Sequence, residues 1–137
     1  MRKTGPFVAG NRISRAITLG LLAGFISAPV NAAPRPDELV MFRDVGCPFC
    51  AQWDHDVGKL YAKTDEAKLL PLRQVDLLGT RPSDLTKVAG VQYTPTFVLM
   101  HCGREIARIT GYLGPDQFWG LLDKDIATLK QARSCVS

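Results

Sequence analysis

Two cysteines separated by two residues, Cys47-Pro48-Phe49-Cys50, stand where a short apolar run gives way to a helical pattern. That junction limits what the chain can be more than any other feature. Residues 38–44, Glu-Leu-Val-Met-Phe-Arg-Asp, are short and mostly apolar, as a buried strand is. Gly46 breaks the run. From Cys47 the pattern predicts a helix with Pro48 in its first turn, where a missing amide hydrogen is harmless. Cys50, Trp53, Val57 and Leu60 recur at intervals of three and four and define one core-facing stripe. Asp54, Asp56, Lys59 and Lys63 fall outside it.

A Cys-x-x-Cys pair serves several chemistries, and its surroundings sort them. A zinc ribbon needs a second pair, or histidines at matching spacing, to complete four ligands. Cys102 and Cys135 are far apart in sequence, and His55 and His101 make no ligand pattern with the motif. No metal or other cofactor is therefore expected at the pair. A structural disulfide and a working dithiol remain, and a position between strand and helix favours the dithiol. At a helix start, unpaired amides and the positive end of the macrodipole favour an anion. A Cys47 thiolate is thus expected below the ordinary thiol pKa of about 8.5. Cys50, on the stripe with Trp53, is expected to be the more buried partner. Cys47 is then the nucleophile that attacks a substrate disulfide, and Cys50 the resolving thiol that releases it.

The remaining pattern reads as an alternation of strands and helices. Residues 72–77 predict a second strand, which Pro71 places at a sheet edge or strand entry. Residues 82–89 predict a short helix capped near Thr80 or Arg81 and ending at Gly90. Thr96 to Met100 is an apolar strand, His101-Cys102-Gly103 a tight turn, and Arg104 to Thr110 the returning strand. Pro115 opens a last helix, reaching about Gln131, with Phe118, Leu122, Ile126 and Leu129 on one face. Strand–helix–strand followed by a hairpin and a helix predicts an α/β sandwich whose first strand pair is parallel and whose hairpin is antiparallel.

The first 32 residues read as a signal peptide rather than as part of that fold. Arg2, Lys3, Arg12 and Arg15 precede an apolar run at 16–28, and Val30-Asn31-Ala32 offers a cleavage site. An uncleaved amphipathic anchor is the alternative; the run is too short for a comfortable membrane span. Without these four of the 17 basic residues, 13 remain against 13 acids. The net charge of residues 33–137 is then zero, which removes the case for a nucleic-acid partner. Those 105 residues make one domain. Export, here expected to the periplasm, allows disulfides to persist.

The chain resembles the thioredoxin superfamily from about Glu38 to Gln131. The resemblance rests on Gly46-Cys47-Pro48-Phe49-Cys50 after an apolar strand, with Tyr93-Thr94-Pro95-Thr96 just before the next buried strand. It implies a thioredoxin-like three-layer sandwich with a mixed four-stranded sheet and three helices, in the minimal, glutaredoxin-like form, since residues 33–37 leave no room for a preceding strand and helix. It further implies that Pro95 is cis and faces the cysteines, that Thr94 offers its backbone to an extended substrate, and that Pro48 and Phe49 contact that substrate. Three departures matter. Met41 stands where the family has a buried aspartate that helps move a proton from the second thiol. Asp54 is one candidate substitute, although its helix position fits a solvated carboxylate better. Gly46 replaces the usual tryptophan and opens the surface beside Cys47. With Gly111-Tyr112-Leu113-Gly114 followed by Phe118-Trp119, the chain also resembles small periplasmic thioredoxin-like proteins of bacterial sulfur-oxidation operons, the SoxS type. That resemblance implies a reductase that keeps a partner protein's cysteine active.

The second pair, Cys102 and Cys135, is expected at one end of the molecule, because a helix of about 17 residues spans roughly 25 Å and can run back along the returning strand. A disulfide pinning the last helix and two free thiols are both open. The leading function is thiol–disulfide exchange on exported cysteine-containing proteins. The Pro-Phe dipeptide lacks the histidine of the strongly oxidising members, which favours a reductase supplied by a membrane thiol–disulfide transporter or by glutathione. An oxidant of the same superfamily, and a copper(I)-binding module at Cys47 and Cys50, are the alternatives. A disulfide isomerase would need a dimerisation domain that a single domain does not contain.

Overall fold

The computed structural model describes residues 37–132 and residue 135. The predicted signal peptide lies outside the described residues, as does nearly all of the stub at 33–37. Four strands form one sheet in the order β2-β1-β3-β4: β1 Asp37–Arg43, β2 Leu72–Asp76, β3 Thr96–His101 and β4 Arg104–Thr110. β1 runs parallel to β2 and antiparallel to β3, and β3 pairs antiparallel with β4. β2 is an edge strand, as Pro71 suggests. Among the described residues no helix is long and apolar enough to cross a membrane.

The sheet buries both faces, which is why its central strands read as continuous apolar runs rather than as alternation. Leu39, Met41, Phe97 and Leu99 point to one side, where they meet Trp53, Tyr61, Phe118 and Leu122 from the helices. Val40, Phe42, Val98 and Met100 point to the other. The helical layer consists of α1 Pro48–Trp53, a wide π-helical turn Asp54–Gly58, α2 Lys59–Tyr61, α3 Asp65–Leu69 and α4 Pro115–Gln131. Trp53 is its centre, with ring centroids 5.2 Å from Phe97 and 5.6 Å from Phe118.

Two expectations fail for identifiable reasons. The stripe on the first helix ends at Tyr61, 1% exposed, and not at Leu60, 58% exposed. The π-helical turn takes extra residues per turn, so the inward position arrives one residue later. Residues 82–89 do not form a helix; a 3-10 turn at Ser83–Leu85 is followed by irregular chain. Leu85 and Val88, three apart, are still turned inward and cover the second face, so the third layer is a loop. An ion pair and a hydrogen bond hold this loop: Arg73 of β2 bonds Asp84 at 2.8 Å, and Arg108 of β4 donates to the Ala89 carbonyl at 2.8 Å. The short helix lies instead at Asp65–Leu69, capped by the Thr64 hydroxyl, which accepts from the Ala67 amide.

Candidate active site

Antiparallel pairing sets Phe42 of β1 opposite Thr96 of β3. The chain leaving β1 and the chain entering β3 therefore meet at one end of the sheet. The first carries Cys47 and the second carries Pro95. Gly46 turns the chain with φ +86°, a conformation glycine adopts without strain. Cys47 follows as the N-cap of α1 in extended conformation, with Pro48 at the first helical position. Its Sγ accepts a hydrogen bond from the Cys50 amide at 3.1 Å, one of the donors a helix start leaves unpaired.

Cys47 and Cys50 are joined in a disulfide with Cα atoms 5.3 Å apart. Their surroundings differ. Cys47 is partly exposed, Pro48 and Phe49 are exposed, and Cys50 is wholly buried. Cys50 packs in the cluster that contains Met41, Trp53 and Phe97, so its sulfur sits in an apolar setting where the family carries an aspartate. The Arg43 guanidinium donates to both Asp54 carboxylate oxygens, at 3.1 and 2.8 Å. The Asp54 side chain is 37% exposed, so Asp54 is a surface carboxylate as its helix position predicts, paired in addition with Arg43. Its partner was not read from the sequence, because Arg43 ends a strand eleven residues away.

The Thr94–Pro95 bond is cis. Pro95 is buried, and the Thr94 carbonyl oxygen lies 3.4 Å from Cys47 Sγ. The Gly111 amide donates to the Pro95 carbonyl at 2.8 Å, and the Thr96 hydroxyl donates to the Tyr93 carbonyl at 2.7 Å, so the loop is tied on both sides. Two apolar side chains adjoining these motifs in sequence are exposed: Val45 is 90% exposed and Tyr93 68% exposed. Both lie beside residues of the motifs, yet the exposure of an apolar residue in a loop leaves no periodic trace. Phe49, inside the cysteine motif, is 51% exposed.

A family model for a thioredoxin-like domain matches residues 30–125. The chain belongs to the thioredoxin-like family. It is similar to the crystal structure of the reduced periplasmic thioredoxin SoxS from Paracoccus pantotrophus, with 37% identity and a TM-score of 0.63 over 66% of this chain and 96% of that one. The fold is shared with thioredoxin Mala s 13 of Malassezia sympodialis, at 19% identity and TM-score 0.53 over 65% of this chain and 76% of that one. It is shared too with mitochondrial thioredoxin 3 of Saccharomyces cerevisiae, at 22% identity and TM-score 0.50 over 66% and 80%. No curated protein matches the sequence significantly. A thioredoxin-like domain with a Cys-x-x-Cys pair fits a thiol–disulfide oxidoreductase acting on thiol-containing proteins.

Cys102 and Cys135 lie at the opposite end of the sheet. Asp37, which starts β1, pairs with His101, which ends β3. Cys102 and Gly103 form the two-residue hairpin turn with φ of 52° and 70°. Cys135 reaches Cys102 from beyond α4, and the two are joined in a disulfide with Cα atoms 5.5 Å apart.

Proposed function

We propose that the protein is an exported, periplasmic thiol–disulfide reductase that acts on cysteine-containing partner proteins through Cys47. The observation that carries this reading is the asymmetry of the pair: a half-exposed sulfur at a helix start beside a substrate-accessible backbone, and a buried one behind it. In the reduced protein the Cys47 thiolate attacks one sulfur of a partner's disulfide. That S–S bond breaks, one partner thiolate leaves, and Cys47 is joined to the partner. Cys50, having lost its proton to solvent or to the departing thiolate, attacks Cys47 Sγ; the mixed disulfide breaks, the Cys47–Cys50 bond forms and the second partner thiol is released.

The cis Pro95 loop and the exposed apolar side chains of Phe49, Tyr93 and Val45 suit an extended, partly apolar segment of the partner, with Thr94 and Pro48 beside it. Two electrons and two protons from a dithiol donor restore the pair. A membrane thiol–disulfide transporter fits that role, and glutathione is the second candidate. Likeness to a periplasmic thioredoxin and the basic, apolar leader support the location. Residues 33–137 would then be the mature domain.

Equilibration with glutathione buffers tests the direction. A reductase has a potential near or below thioredoxin's about −270 mV and reduces insulin catalytically. A potential near −120 mV, about that of the strongest oxidants in the superfamily, would reverse the assignment.

A further inference from the structure

The end of the sheet away from Cys47 carries a second cluster with chemistry of its own. Among the described residues, His101, Cys102 and Cys135 are the one group of three possible metal ligands whose donor atoms all lie within 4.8 Å of one another. Cys102 is held by the hairpin turn, His101 is the last residue of β3, and Cys135 approaches from beyond α4. Asp37 is hydrogen-bonded to Nδ1 of His101. A carboxylate on one ring nitrogen fixes the imidazole and raises its basicity, the arrangement found behind many metal-bound histidines.

We propose that, once the Cys102–Cys135 disulfide is reduced, His101, Cys102 and Cys135 bind a thiophilic d10 cation, zinc(II) or copper(I). Two thiolates and one imidazole are the donors these ions select, whereas calcium and magnesium require oxygen ligands. Three protein ligands complete a trigonal copper(I) site, or leave one tetrahedral zinc position for water. The disulfide gates the site, because bonded sulfurs are not thiolate ligands. Opening it takes two electrons and two protons from a dithiol, which becomes a disulfide as the S–S bond breaks. The cation then displaces the two thiol protons. Cys102 and His101 are half-buried and Cys135 is exposed, so a reductant and an ion can both reach the pair. The Cys47–Cys50 end is unlike this. Its inner sulfur is wholly buried, and among the described residues no His, Asp or Glu forms a group of three with the pair.

The test uses the protein carrying C47S and C50S, so that the second pair supplies all the thiols. It is reduced with a phosphine, which leaves no competing thiol, and titrated with zinc(II) or copper(I) against a chromophoric chelator. The expected result is one equivalent of metal per chain for the reduced form and none for the oxidised form. C135S, added in this background, should weaken binding by at least about 100-fold, and H101Q by at least about tenfold. Circular dichroism of each reduced variant separates ligand loss from unfolding, and C135S alters only chain beyond the last helix. Uptake by the reduced form no greater than by the oxidised form would overturn the proposal. So would binding that is indifferent to either substitution in a folded variant.

Discussion

The two disulfides lie at opposite ends of one sheet with almost equal Cα separations, 5.3 and 5.5 Å, yet they constrain the chain very differently. Cys47–Cys50 closes a sequence separation of three residues at a helix start. Cys102–Cys135 closes one of 33 and ties the hairpin to the chain that follows α4. Loop-closure entropy assigns roughly 2 kcal/mol to the first and roughly 4 kcal/mol to the second. The short bridge can therefore open and close while the domain stays folded. Burial points the same way: Cys50 packs in the Trp53 cluster and holds the inner sulfur whether or not the bond is made, whereas Cys135 is exposed.

Substitutions at the two ends should give opposite results. Cys47→Ser should reduce exchange on insulin to the background rate of small thiols and lower stability by about 2 kcal/mol or less, measured by urea unfolding. Cys135→Ser should do the reverse: exchange stays within about twofold, while stability falls by about 3–4 kcal/mol. Loss of exchange in Cys135→Ser without unfolding would break the division between the ends.

A smaller effect is expected behind the active pair. A Cβ on Gly58 would lie 2.9 Å from the Trp53 ring, which Phe97 and Phe118 prevent from moving away. Overpacking of about 1–3 kcal/mol outweighs the gain in helix propensity of up to about 1 kcal/mol. Gly58→Ala should therefore lower stability by a net ~1 kcal/mol, and by no more than ~2 kcal/mol, read from the urea midpoint. A stabilised Gly58→Ala would show that the Trp53 pocket is looser than described.

The smallest effect concerns pH. Burial, and then its hydrogen bond to Asp56 at 3.0 Å, push the Tyr112 hydroxyl from the usual 10 up to about 12. The neutral hydroxyl is the form the fold favours, so its stabilisation is complete below pH 10 and is lost as pH rises through about 12. Wild-type stability should therefore fall more steeply than that of Tyr112→Phe over this interval. Parallel curves would remove Tyr112 from the account.

How much of this was legible follows from what each signal is made of. β1 and β3 are buried runs bounded by Gly46 and Pro95, β4 follows the Cys102-Gly103 turn, and α4 begins at Pro115 with Phe118, Leu122 and Ile126 on one face. Those limits are local, and the sequence states them. The stripe's last member differs from the expected Leu60 because Leu60 and Tyr61 both fit a 3.6-residue period, and only the π-helical turn at Asp54–Gly58 decides between them. The helix expected at 82–89 dissolved because Leu85 and Val88 can be buried by a single 3-10 turn. The α3 helix had a signal that went unread, Thr64 as cap with Asp65 and Glu66 in the first turn. At the site, the cysteine pair and the Thr94-Pro95 motif could be read as a pattern. The Arg43–Asp54 pair could not, since it depends on how the end of β1 meets the helical segment that follows the motif.

The division of labour between the two sulfurs is tested most directly by trapping. Reduced Cys50→Ser and Cys47→Ser proteins are mixed with a disulfide substrate, quenched with acid and mapped by peptide mass spectrometry. The account predicts a long-lived mixed disulfide on Cys47 in the first and almost none on Cys50 in the second. An adduct forming on Cys50 as fast as on Cys47 would contradict it.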